Sequence, residues 1–163
     1  MHDLTLQTKQ ISELLPKIAI NLRIARLIDE VKPGLTTSQL MVLLTMKEKK
    51  NVAIPVGSLA EQLSVSFPAV SGIIDRLVKE KLIKRKRSSK DRRLVLIELT
   101  DSGVKIIEKL LKTFEKLLFD ILKKMPEKER EAIVKAIERV FEFSIILSKD
   151  AQEKETSLPS TES

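Results

Sequence analysis

Across residues 66–78 the apolar side chains Val70, Ile73, Ile74, Leu77 and Val78 fall at i, i+3, i+4, i+7 and i+8, and within a few residues that period is gone. Such a stripe demands an α-helix with one buried face, because only a helical turn brings those positions to one side. Ser66 stands where an N-cap oxygen is needed. Just upstream, Pro55 opens a short helical segment with Leu59, Ala60 and Leu63 as its apolar positions, and Ser64-Val65-Ser66 interrupts it. Two helices joined by a turn of about three or four residues form a helix-turn-helix. Downstream, residues 82–87 and 93–99 hold β-formers with Ser88-Ser89-Lys90-Asp91 as turn material, so the second helix leads into a basic hairpin.

Helical patterns flank this centre on both sides. Ile11, Leu15, Ile18, Leu22 and Ala25 recur at steps of four and three, with Pro16 either kinking that helix or restarting it. Residues 32–35 break the period. Thr36-Thr37-Ser38-Gln39 then offers a capping box before an apolar run through Leu44 and Met46. Thr100-Asp101-Ser102-Gly103 is another N-cap signal, after which Ile107, Leu111, Phe114, Leu118 and Ile121 repeat at four and three, widened by Leu110, Leu117 and Leu122. Pro126 precedes a last helix carrying Ile133, Ile137, Val140 and Phe141. From Asp150 onward the chain turns to Gln, Glu, Ser, Thr and Pro, and a disordered acidic tail is expected there.

The expected fold is therefore mainly α with a small β-hairpin wing, an α+β winged helix-turn-helix flanked by N- and C-terminal dimerisation helices. We expect a single unit. It comprises an N-terminal dimerisation helix over 4–30, the winged domain over 35–100, C-terminal dimerisation helices over 101–149 and the tail over 150–163. The stripe from 107 to 121 leaves two readings open, a face buried within one chain or a seam against a second copy. The second is favoured, because a winged domain of about 65 residues has little surface to cover three such helices.

Charge sharpens the functional reading. The chain carries 30 Lys+Arg against 23 Asp+Glu, a net +7. Residues 76–93 alone hold ten basic side chains (Arg76, Lys79, Lys81, Lys84, Arg85, Lys86, Arg87, Lys90, Arg92, Arg93) against Glu80 and Asp91, a surplus of eight. Such concentration beside a helix-turn-helix points to duplex DNA. A basic run taken alone is more often a solvated face, so the neighbouring helices carry the inference. No cysteine is present, which excludes thiol nucleophiles, thiolate metal sites and peroxide sensing through thiols. The single histidine, His2, stands at the terminus, and only four glycines leave no phosphate-cradling loop. An enzyme, a metal site and a cofactor are all unexpected. No segment approaches the roughly 20 apolar residues of a membrane span, and the N-terminus lacks a signal-peptide layout, so a cytoplasmic address is expected.

Asp91-Arg92-Arg93 followed by Leu99-Thr100-Asp101-Ser102-Gly103 resembles the wing signature of the MarR (multiple antibiotic resistance regulator) family, written Asp-x-Arg, five residues, Leu-Thr, two residues, Gly. Leu35-Thr36-x-x-Gln39, Leu59-Ala60-x-x-Leu63 and Ile74-Asp75-Arg76-Leu77 fall where that family has its second, third and recognition helices. The resemblance implies that Arg93 lies in or near the minor groove, that Asp91 orients the wing arginines, and that Lys90 and Arg92 meet phosphates. It implies that Ser66, Pro68, Ala69, Ser71 and Arg76 face the DNA. Phe67 and Gly72 lie on the same outward face, with Phe67 equally readable as a buried staple. Two departures stand out. Gly72 sits where relatives often carry a longer polar side chain, and Lys81 sits where a glycine commonly ends the recognition helix, implying a left-handed non-glycine cap at a cost of about 1 kcal/mol.

The expected activity is sequence-specific, double-stranded DNA binding by a homodimer that represses transcription from a near-palindromic operator. The resemblance adds release by a small aromatic or anionic effector. The competing reading is a helical protein-interaction adaptor with only non-specific DNA affinity, to which a surplus of eight charges in the wing region would be of no use.

Overall fold

The computed structural model describes residues 3–49, 52–88, 91 and 94–156. Its elements run α1 (Leu4–Asn21), α2 (Ile24–Val31), α3 (Thr37–Glu48), β1 (Ile54–Pro55), α4 (Val56–Gln62), α5 (Phe67–Lys79), β2 (Ile83–Arg87), β3 (Val95–Leu99), α6 (Asp101–Leu122) and α7 (Glu127–Thr156). The chain divides into two compact units, Met1–Phe114 and Glu115–Ser163, with the boundary inside α6.

Within the first unit, helix starts are built by local side chains. Thr36 Oγ1 accepts from the Gln39 amide while Gln39 Oε1 accepts from the Thr36 amide, completing the capping box of α3. Ser66 caps α5 by accepting from Ala69 N–H at 3.4 Å. The turn between α4 and α5 is closed by Ser64 at φ 50, with Ser64 and Val65 N–H reaching the carbonyls of Glu61 and Ala60. That is a helix-capping turn ordinarily taken by glycine.

The core draws on every element from α3 to the first turns of α6. Val42, Leu43 and Met46 of α3, Leu59 of α4, Val70, Ile74 and Leu77 of α5, Ile83 and Ile97 of the sheet, and Ile107 and Leu110 of α6 are fully buried. Truncating one such side chain to alanine costs about 2–5 kcal/mol. The stripe of α6 thus divides: Ile107 is core and Phe114 packs against it, whereas Leu111 and Leu118 stay exposed.

The wing has one strand more than the sequence suggested. The antiparallel order is β1-β3-β2, with Ile54 opposite Ile97 and Ile83 opposite Leu99. Pro55 belongs to β1 and precedes α4, an edge position that tolerates its missing N–H. Ile83, Ile97 and Leu99 share the inward face, and along β2 the four residues after Ile83 are exposed.

Two further differences concern the helices. The N-terminal pattern, read as one helix over 4–30, is two: Pro16 lies inside α1, and the break comes at Arg23, which adopts φ 50. At the other end α7 runs to Thr156, past Asp150, because Ala, Gln, Glu and Lys at 151–155 all favour helix. The remainder of the expected tail, residues 157–163, lies outside the described residues, as does His2. In the second unit, Arg130 Nη1 donates to the Met125 carbonyl and the Pro126 carbonyl accepts the Arg130 amide, closing the turn before α7.

The end of α5 is fastened to the start of α6. Lys81 N–H reaches Val78 O and Leu82 N–H reaches Leu77 O, with Lys81 at φ 59, the left-handed cap expected of that position. Thr100 then grips this corner: its amide donates to Leu82 O at 3.0 Å, its hydroxyl donates to Lys81 O at 2.7 Å, and the same oxygen accepts from Gly103 N–H at 3.1 Å. Gly103 packs so closely that a Cβ there would overlap the Leu82 carbonyl oxygen. Gly103→Ala is therefore expected to destabilise the fold by about 3 kcal/mol in urea denaturation, and Lys81→Gly to stabilise it by about 1 kcal/mol. A Gly103→Ala midpoint equal to wild type would be incompatible with this packing.

Candidate nucleic-acid interface

The outward face of α5 is set by what its inward face buries. With Val70, Ile74 and Leu77 in the core, Phe67, Pro68, Ala69, Gly72, Asp75, Arg76 and Lys79 are exposed, and Ser71 is half-buried at the flank. Phe67 is 56% exposed, so within this chain the buried-staple reading is set aside. Ser66 is exposed but its oxygen already caps the helix. A Cβ at Gly72 would meet nothing within 4 Å, so among the described residues no packing contact calls for the glycine.

The wing meets this helix through charge. Arg85 Nη2 lies 2.7 Å from Asp75 Oδ1, joining β2 to the exposed side of α5, and Lys84 pairs across the ladder with Glu98 at 3.5 Å. Arg76, Lys79, Lys86 and Arg87 form no ion pair among the described residues and remain available to an anion. At the wing tip, Asp91 N–H donates to Ser88 Oγ at 3.2 Å and Leu94 N–H donates to the Asp91 carbonyl at 3.0 Å. Lys90, Arg92 and Arg93, the cations assigned to the wing from sequence, lie outside the described residues.

A second polar constellation went unnoticed in the sequence. Glu80, the C-cap of α5, sits where the helix dipole disfavours a carboxylate. Its two oxygens are claimed by different elements: Lys32 Nζ, just past α2, is 3.0 Å from Oε2, and the 3%-exposed Gln39 of α3 donates to Oε1 at 3.0 Å. Hydrogen bonding from Lys32, joined by that from Gln39, holds the Glu80 carboxyl below the ordinary glutamate value, against the opposing effect of burial. Beside it opens a cleft of about 500 Å³ lined by Gly34, Thr36, Gln39, Arg76, Lys79 and Glu80. The partners are far apart in sequence, and only the shared corner of α2, α3 and α5 brings them together.

Among the described residues no group of His, Asp or Glu side chains is arranged to hold a metal ion, and no helix is long and apolar enough to cross a membrane. The arrangement is one of exposed cations around a protruding helix and wing, a chemistry of phosphate neutralisation and groove contact.

A family model described as "Transcriptional regulator SarA/Rot" matches residues 26–110, just over half of the chain. The chain belongs to the SarA/Rot family of transcriptional regulators. Its similarity to the HTH-type transcriptional repressor MdtR of Bacillus subtilis (strain 168) is 35% identity over 98 residues, 60% of this chain and 62% of that protein's length. Among solved structures it resembles RV1404 of Mycobacterium tuberculosis, with a TM-score of 0.77 at 23% identity over 87% of this chain and 94% of that one. A MarR family protein from Bacillus stearothermophilus aligns with a TM-score of 0.74 at 20% identity, covering 88% and 99% of the two chains. The resemblance read from the wing signature thus holds at the level of fold. This SarA/Rot-family chain shares its winged-helix fold with the MarR family protein.

The Glu80 cluster makes a checkable contribution. A carboxyl depressed in the folded state stabilises it above the ordinary glutamate value of about 4.3, and that contribution is lost as pH falls through the lower folded value. Wild type should accordingly be more stable than Glu80→Gln at pH 7, and urea titrations below pH 4 should show the difference shrinking. A pH-independent difference would remove the carboxylate from the account.

Proposed function

We propose that the chain is a homodimeric repressor that places one α5 in each of two successive major grooves of a near-palindromic operator, with the wings flanking them. The observation that carries this reading is the juxtaposition of the exposed face of α5 with Arg76, Lys79, Lys86 and Arg87, cations without an ion pair among the described residues. Twofold symmetry then sets half-sites about 10 base pairs apart. Self-association is supported separately by α1, none of whose residues is buried and where Leu4, Ile11, Leu15 and Ile18 lie exposed, and by α7, where Ile137, Val140, Phe141 and Phe143 do. Apolar faces of this extent are ordinarily covered by a partner.

In this reading Ser66, Ser71 and Arg76 contribute contacts from the helix, Lys90 and Arg92 neutralise phosphates, and Arg93, oriented by Asp91, enters the minor groove. Repression follows from occupancy of a promoter, in keeping with the name of the MdtR relative. Release by a small aromatic or anionic effector belongs to the same proposal; the cleft beside Arg76 and Lys79 has the volume and charge for one.

Gel-shift titration on the DNA upstream of its own gene, at two salt concentrations and against a scrambled competitor, tests this. The expected result is a discrete complex that survives the competitor and weakens steeply with salt, and a loss of about fivefold to a hundredfold for Arg93→Ala. Equal smearing on both duplexes would instead favour the adaptor. In solution the mass should be twice 18.5 kDa.

A further inference from the structure

The first two turns of α5 present an exposed surface almost devoid of hydrogen-bonding side chains. Phe67, Pro68, Ala69 and Gly72 are exposed there, Ser71 is half-buried, and residues 67–74 contain no Arg, Lys, Asn, Gln, Asp or Glu. The backbone offers little more. Pro68 has no N–H, Ala69 N–H goes to Ser66 Oγ and Val70 N–H to the Ser66 carbonyl, leaving the Phe67 amide as the one first-turn donor unaccounted for among the described residues. This end of the helix is poorly equipped to hold a phosphate or to read a purine edge.

Charge nevertheless suits this face to a polyanion such as DNA. Directly C-terminal to the apolar patch come Arg76 and Lys79, unpaired among the described residues, while the single acidic group on the face, Asp75, is neutralised by Arg85. In the major groove the one apolar feature that distinguishes a base pair is the thymine C5-methyl group. Gly72 completes the argument. A glycine inside a helix costs about 1 kcal/mol relative to alanine, and a Cβ at Gly72 would meet open space rather than any neighbour. With no side chain at Gly72, the helix surface is left open between Pro68, Ala69 and Arg76, where a base edge could approach the backbone.

We propose that this apolar face reads thymine methyl groups, so that each half-site sets thymines against Phe67, Pro68, Ala69 and Gly72. The inference rests on the placement of α5 in the major groove proposed above. The full-length protein is used to select duplexes from a randomised library, and each thymine of the selected duplex is then replaced singly by deoxyuridine, which removes the C5-methyl and leaves base pairing intact. Binding is followed by fluorescence anisotropy.

At one or more positions per half-site the replacement should weaken binding about fourfold, the value of one buried methyl. Phe67→Ser should lose sensitivity to at least one of those replacements. Gly72→Ala, with a melting temperature at or above wild type, should bind the selected duplex more weakly. Selection of a defined duplex whose affinity is indifferent to every deoxyuridine and to Gly72→Ala would overturn the methyl readout and leave the regulator reading standing. Enrichment of no sequence at all would remove the major-groove placement and this inference with it.

Discussion

The grip of Thr100 on the Lys81–Leu82 corner is the contact on which the interface geometry depends. One threonine supplies an amide and a hydroxyl to two successive carbonyls and accepts the Gly103 amide on the same oxygen. The end of α5, the base of β2 and β3, and the first turn of α6 thereby share one set of hydrogen bonds. Gly103 lets those backbones close to a separation that no side chain would permit. The Leu-Thr-x-x-Gly pattern thus has a mechanical reason: it fixes the angle at which the helix and the wing leave the same corner. Around it, fully buried Leu77, Ile83, Ile97 and Ile107 exclude water and keep the bonds from being exchanged for solvent.

Features decided within a few residues were legible in the sequence. The Thr36–Gln39 box, the Ser66 cap, the span of α5 and the two long wing strands follow from local hydrogen-bonding chemistry and from period. What was not legible depends on contacts made at a distance or on backbone states that side chains do not announce. β1 is only Ile54–Pro55, and its pairing with Ile97 and Leu96 is a tertiary event. The break between α1 and α2 uses a left-handed Arg23 where no glycine gives warning. Lys32, Gln39 and Glu80 have unremarkable spacings and meet only because α2, α3 and α5 converge. Which residues of α5 face outward was readable from the helical period, whereas the Asp75–Arg85 pair was hidden because it joins two different elements.

The charges on this surface fall into two groups with different work. Arg85 and Lys84 are held by Asp75 and Glu98, and exposed pairs of this kind add little stability, about 0–1 kcal/mol each. Their effect is positional, restraining the wing strand beside the helix. Arg76, Lys79, Lys86 and Arg87 form no ion pair among the described residues, and together they leave the face with a local surplus of positive charge. Glu80 belongs to neither group: with both oxygens occupied by Lys32 and Gln39, it ties the corner after α2 to the last turn of α5.

Gly72 also separates two properties that protein surfaces usually couple. A change there alters what the helix shows to a groove without touching the interior, since a new Cβ would project into open space. The same change removes a flexible residue from a helix, so most substitutions arrive with a stability gain in hand. The exposed face of α5 can therefore change its shape at Gly72 by a single codon, with no compensating substitution elsewhere in the fold.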